Sequence, residues 1–190
     1  MKKNLSIAIW FTLVTTVLFG VLYPLSITGL SQLLFPKQAN GDLITKNGKV
    51  MGSVLIGQSF TGPGYFRSRP SNAGTGYDAT SSSGSNLAPT NKLLIERVKS
   101  DVQKAQAENP GAPVPVDLVT ASGSGLDPDI SPAAAEFQIP RVASERHMSS
   151  ADLREFVQKH TAERQLGVLG EPRVHVLELN LDLDTLHPLR

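Results

Sequence analysis

From Asn4 to Pro36 the sequence carries no charged side chain, a run of 33 residues. Lys2 and Lys3 precede it and Lys37 follows it. About 20 mostly apolar residues cross a bilayer as a helix. Leu5–Tyr23 supplies 19 of them, including Leu5, Trp10, Phe19 and Tyr23. The hydroxyls of Thr12, Thr15 and Thr16 can bond back to the helix's own carbonyls, so they are tolerable in lipid. Pro24 has no amide hydrogen and its ring crowds the preceding turn, so a bend near Tyr23-Pro24 is expected. A cleaved signal peptide has a shorter apolar region and a small-x-small cleavage site. This run is about twice that length and no Ala-x-Ala follows it. The expectation is a retained single-pass anchor over residues 1–36. The short, basic leading tail places the N-terminus in the cytoplasm and residues 37–190 outside.

Those remaining residues carry 16 basic and 17 acidic side chains. The balance lacks the basic surplus of a nucleic-acid binder. The chain has no cysteine, which excludes a disulfide framework, a thiolate metal site and a cysteine nucleophile. About 150 residues suffice for one cored domain. Asn47-Gly48 readily takes the two positive φ angles of a hairpin turn, so residues 43–46 and 49–56 are expected to pair. Gly57–Pro89 is rich in Gly, Ser, Thr, Pro and Asn, the texture of a linker. Phe60, Tyr65, Phe66 and Tyr77 argue instead for an ordered loop.

Leu94, Val98, Val102 and Ala105 predict one helix, and Leu153, Phe156, Val157 and His160 another, the latter opened by a Ser149-x-x-Asp152 cap. Ser131-Pro132 opens a third, expected to be short because Pro140 follows. Val114–Val119 reads as a short edge strand. Leu177, Leu179, Leu181 and Leu183 alternate with polar residues and read as a half-buried strand. The mixture predicts an α+β extracytoplasmic domain on a single N-terminal transmembrane helix.

The usual catalytic signatures are absent. No phosphate-binding Gly-x-x-x-x-Gly-Lys-Ser/Thr occurs, no His-Glu-x-x-His, and no metal-ligand spacing among His147, His160, His175 and His187. Asp-Lys-Thr-Gly is missing too, so the chain cannot form the aspartyl-phosphate of a P-type ATPase. Ser122-Gly123-Ser124-Gly125 reads as a tight turn. A membrane-anchored extracytoplasmic hydrolase using Ser124 and a histidine is the competing reading.

Three phrases carry more specific wording. They are Gly52–Phe60 with Tyr65–Ser71, then Ser83–Thr90, then Val114–Ser122 running on through Ser124–Ser131 to Gln138–Ala143. Together with the N-terminal span and the ending Val176–Leu181, they resemble the C subunit of the bacterial Kdp potassium-transporting ATPase, the KdpC family, over essentially the whole chain. The resemblance implies an accessory, non-catalytic subunit of an ATP-driven potassium import complex in the bacterial inner membrane. It implies as partners a channel-like subunit, a P-type ATPase subunit and a very small subunit. The family is described as a catalytic chaperone that raises the ATPase subunit's affinity for ATP. No cofactor is expected to be firmly bound, and ATP would enter only in concert with the ATPase subunit.

Ser83, Gly84, Ser85 and Asn86 are the candidate nucleotide loop, since Gly/Ser backbone amides can cradle phosphate. An uncharged turn is the plainer reading of them. An external body could instead gather cations at an ion entrance through Asp127, Asp129, Asp182 and Asp184. Tyr65, Phe66, Arg67, Arg69 and Asp127 are the candidate partner contacts. Aromatics and arginine carry interface energy, but Tyr65 and Phe66 suit a core equally well.

Overall fold

In a computed structural model the described residues are 2–189. They form two compact units that divide between Met51 and Gly52.

The first unit is dominated by one continuous helix, Lys2–Leu34, of 33 residues. At 1.5 Å per residue it is about 50 Å long. None of its residues is buried within the chain, which leaves Trp10 66%, Phe11 70% and Leu25 66% exposed. Two α-helical stretches, α1 (Lys2–Thr15) and α2 (Tyr23–Leu34), flank π-helical turns at Thr16–Leu22. Pro24 explains the change of winding. In an α-helix its ring would meet the carbonyl of Gly20 and its missing amide would break one bond. The wider winding absorbs this, with the Tyr23 amide donating to Leu18 O, five residues back. The proline is thus accommodated one turn upstream of the expected bend. The Thr15 hydroxyl donates to Phe11 O at 2.8 Å and Thr12 O at 3.1 Å, the back-bonding expected of it. A single turn, α3 (Pro36–Ala39), leads into the hairpin β1 (Leu43–Lys46) and β2 (Lys49–Ser53). Asn47 and Gly48 take φ of +53° and +74°, the turn their sequence favours.

The second unit contains α4 (Lys92–Glu108), β3 (Asp129–Ile130), α5 (Pro132–Arg146), α6 (Ser150–Lys159), β4 (Thr161–Ala162), β5 (Arg173–His175) and α7 (Val176–Leu186). The three strands form an antiparallel sheet in the order β3-β5-β4, with Ile130 opposite Val174 and Thr161 also opposite Val174. Helices and a small sheet give the α+β body expected. Its core is Phe66, Ile130, Ala134, Ala135, Ile139, Val142, Ala143, Leu153, Val157, Val174, Val176, Leu179 and Leu183.

Local chemistry sets the helix starts. Asn91, Ser131 and Ser149 each accept an amide bond at a helix N-terminus, from Leu93, Ala134 and Asp152.

Three expectations fail, each for an identifiable reason. Val114–Val119 is no strand: Pro113 and Pro115 remove alternate ladder donors, and Val116–Leu118 closes as a 3-10 turn. That turn aims Asp117 at Ser131, whose amide donates to it at 2.7 Å and whose hydroxyl donates at 3.1 Å. The helix begun at Ser131 runs past Pro140 to Arg146, because Pro140 and the Glu136 carbonyl it would have bonded lie on the solvent face. Residues 176–186 are helical. Val176, Leu179 and Leu183 recur at helical spacing and are buried. His175 caps the start, its Nδ1 accepting from the Glu178 amide at 3.2 Å. The leucine alternation is real, but a strand would have turned Asn180 outward, and it is 1% exposed.

Candidate functional site

The long segment between β2 and α4 makes almost no ladder of its own, yet it is firmly placed. Five consecutive residues, 63–67, are held by side chains from two helices. Asn180 of α7 accepts from the Phe66 amide at 2.9 Å and donates back to the Phe66 carbonyl at 2.8 Å. Gln138 of α5 does the same for Arg67, at 2.8 and 3.1 Å. Two carboxamides thus stand where a neighbouring strand would be. Arg146 is buried; its Nε donates to Gly64 O at 2.6 Å and its Nη2 to Asp184 at 2.8 Å. Arg141 donates to Tyr65 O at 3.0 Å and to Pro63 O. Burial is the chief reason the Arg141 guanidinium is held below its ordinary pKa, assisted by the nearby charge of Arg67.

This frame sorts the candidate contact residues. Phe66 is 0% exposed and lies in the core, so its ring packs this body and is not available to a partner, a correction to its expected role. Tyr65 is half-buried. Its hydroxyl donates to Asp184 at 3.0 Å, and the Arg146 guanidinium stacks 5.0 Å above its ring. Burial, then the Asp184 bond, push its pKa up. Arg67 and Arg141 share one carboxylate, Glu108 at the end of α4. Arg69 pairs with Asp127 at 3.0 Å, while the Tyr77 hydroxyl donates to the Arg69 carbonyl. Between this segment and α4 lies a cavity of about 290 Å³, walled by Arg67, Arg69, Tyr77, Lys104 and Glu108. A second, of about 430 Å³, is walled by Arg69, Asp117, Asp127, Asp129 and Arg173.

The carboxylates expected to gather cations are already engaged. Asp127 holds Arg69 and accepts from the Asp129 amide at 3.0 Å. Asp129 meets Arg173 at 3.0 Å, Asp182 meets His160 at 2.8 Å, and Asp184 meets Arg146. No group of three His, Cys, Asp or Glu able to hold a metal exists among the described residues.

The Gly/Ser loop is likewise occupied. The Ser83 amide and the Ser82 hydroxyl both donate to Ser124 O, each at 2.9 Å, and the Ser83 hydroxyl donates to Gly84 O. Gly125 has a φ of +68°, and a Cβ there would sit 2.5 Å from Ser83 O. Ser83 and Gly84 therefore pack against Gly123–Gly125. The Ser83 amide is thereby spent within the chain. Ser124 Oγ accepts from the Leu126 amide at 3.1 Å and lies 3.4 Å from Ser122 Oγ, and no histidine bonds it among the described residues. Nothing here favours a hydrolase.

Sequence reasoning missed Gln138, Arg141, Arg146 and Asn180. The available signal was a carboxamide embedded between apolar neighbours: Gln138 between Phe137 and Ile139, Asn180 between Leu179 and Leu181.

Comparison with known proteins agrees with the wording of the sequence. Residues 5–185 match the family described as K+-transporting ATPase, c chain, KdpC. A protein of Koribacter versatilis named Potassium-transporting ATPase KdpC subunit is 59% identical over 189 residues, covering 100% of this chain and 98% of that protein. Proteins of the same name from Acidobacterium capsulatum and Rhodopseudomonas palustris are 58% and 54% identical, each over 97% of this chain and over 100% and 98% of their own lengths. The chain belongs to the KdpC family of potassium-transporting ATPase subunits, and its role is accessory to potassium import.

Proposed function

We propose that this chain is a non-catalytic subunit anchored in the bacterial inner membrane by Lys2–Leu34. Its N-terminus is cytoplasmic and its body extracytoplasmic, held against the channel-like, P-type ATPase and very small subunits of one potassium import complex. The observation that carries the reading is the helix itself. It is about 50 Å long and exposes every apolar side chain, whereas a bilayer's hydrocarbon core is about 30 Å. The surplus length lets it span with tilt, or extend its last turns to the interface. The non-catalytic half of the reading is supported by Ser124, which is held in a turn, and by His160 and Asp127, which are held in ion pairs. ATP enters only through the ATPase subunit, on the other side of the membrane.

Removal of residues 2–34 abolishes co-purification with the ATPase subunits and potassium uptake in cells. Normal assembly without them would refute the anchoring role. In sealed vesicles of known sidedness, protease reaches the body only from the extracytoplasmic face. Digestion from the cytoplasmic face alone would reverse the topology.

A further inference from the structure

The connection between β4 and β5 is a small hairpin, closed by mutual bonds of 2.9 Å between Gln165 and Leu169. Its tip exposes three aliphatic side chains: Leu166 at 89%, Val168 at 71% and Leu169 at 56%. Single exposed apolar residues are ordinary, but three adjacent ones on a closed turn mark a contact surface.

The backbone adds a second, independent observation. Leu166 and Gly167 take φ of +54° and +75°. Asn47 and Gly48 adopt nearly the same pair, +53° and +74°, with the dipeptide such turns prefer. At the equivalent position the second hairpin holds a leucine, a side chain poorly suited to left-handed backbone. Strain kept at an exposed tip points to a use for the side chain outside the chain itself.

We propose that this tip is a docking knob, and that Leu166, Val168 and Leu169 enter an uncharged, apolar depression on the extramembrane surface of another subunit of the potassium-transporting complex. The inference rests on the accessory-subunit reading above. Charge supports that occupant: Arg164 and Glu171 pair at 2.5 Å across the hairpin's base, leaving the tip itself uncharged. Segments that seat in a lipid surface back their apolar side chains with unpaired Lys or Arg and with interfacial aromatics, whereas residues 163–172 contain no aromatic and no lysine, and their one arginine is paired. Size argues against a second copy. Two such tips fall far short of the roughly 800 Å² per partner that a free-standing interface buries. A small knob suffices when another contact already holds the chain beside its partner, because the second contact is then effectively intramolecular.

The chain has no cysteine, so Leu166→Cys gives it a single attachment point, and the purified full chain carrying a photo-crosslinker there is returned to the complex in membranes lacking the unaltered chain. The expected product is an adduct with another subunit's polypeptide. An adduct with lipid only, an adduct with a second copy of this chain, or no polypeptide adduct overturns the proposal. The second experiment measures how much full-length chain is retained on the complex through detergent purification. The paired change Leu166→Asp and Val168→Asp lowers retention about tenfold. Leu166→Gly also lowers retention, yet it leaves the thermal midpoint of the full chain unchanged or raised, because it relieves the turn. A merely structural leucine would not separate those two readouts. Retention of both variants at the level of the unaltered chain overturns the knob. Failure of the unaltered chain to co-purify overturns the accessory-subunit reading instead.

Discussion

The Lys2–Leu34 helix and the Gly57–Pro89 segment satisfy their backbones in opposite ways. The helix bonds to itself and needs no other part of the chain; even at Pro24 it repairs the loss by changing its own winding. The segment has no such ladder, so its order is borrowed from Gln138, Arg141, Arg146 and Asn180. Glycine and serine content alone would have made it a tether. The difference teaches that an irregular segment can be as fixed as a helix when side chains from regular elements take the role of a neighbouring strand.

The largest test of this dependence is Phe66→Ala. Phe66 is 0% exposed and is the segment's anchor in the core. Truncation of such a ring costs about 3–5 kcal/mol, a large share of the 5–15 kcal/mol typical of a domain. Denaturant unfolding of the full chain in detergent reads it, and a loss under 1 kcal/mol would mean the segment is only loosely attached.

Next comes Asn180→Leu. It keeps the volume but orphans the buried amide and carbonyl of Phe66, at about 1–3 kcal/mol for each group. Gln138→Leu acts in the same way on Arg67, with a smaller cost because that backbone is only half-buried. Amide exchange at Phe66 and Arg67 separates the two: each variant accelerates its own residue first. Equal acceleration throughout 63–67 would show that the clamps act as one unit.

These clamps also mark where sequence reading stopped. The long apolar helix, the Asn47-Gly48 turn and the helix faces around Val98 and Val157 follow from composition, periodicity and turn chemistry, which are local. The span of α5 past Pro140 does not, since it depends on which side of the helix faces water. Residues 176–186 misled because alternating leucines satisfy period two, while Val176, Leu179 and Leu183 equally satisfy a helix. With that element read as a strand, Asn180 fell on the solvent face and its grip on Phe66, 114 residues away, was hidden. The Tyr65–Arg69 phrase was legible as important. Its division into a core ring, a stacked tyrosine and paired arginines was not, because the partners that decide it, Glu108, Asp127, Arg146, Asn180 and Asp184, are remote in sequence.

The smallest expected effect lies where the segment's Arg69–Asp127 pair meets the sheet. Asp129 follows in β3, its carboxylate 3.0 Å from Arg173. Such a pair ordinarily lowers a carboxyl pKa, yet that of Asp129 is raised. Burial is the main cause, and repulsion from Asp127 and Glu178 adds to it against the pull of His175 and Arg173. Arg173 is 43% exposed, so water screens its charge and burial prevails. The folded chain therefore holds this proton more tightly than the unfolded chain does. The associated stability is fully present below the ordinary carboxylate value, about 3.9, and is lost as pH rises through the raised one. Asp129→Asn carries no charge at any pH and escapes that loss. Relative to the unaltered chain, the variant gains stability as pH rises from about 4 towards neutrality and then levels off. A difference independent of pH would mean that Arg173 fully offsets the burial, and that this corner of the sheet is as well satisfied as the clamped segment beside it.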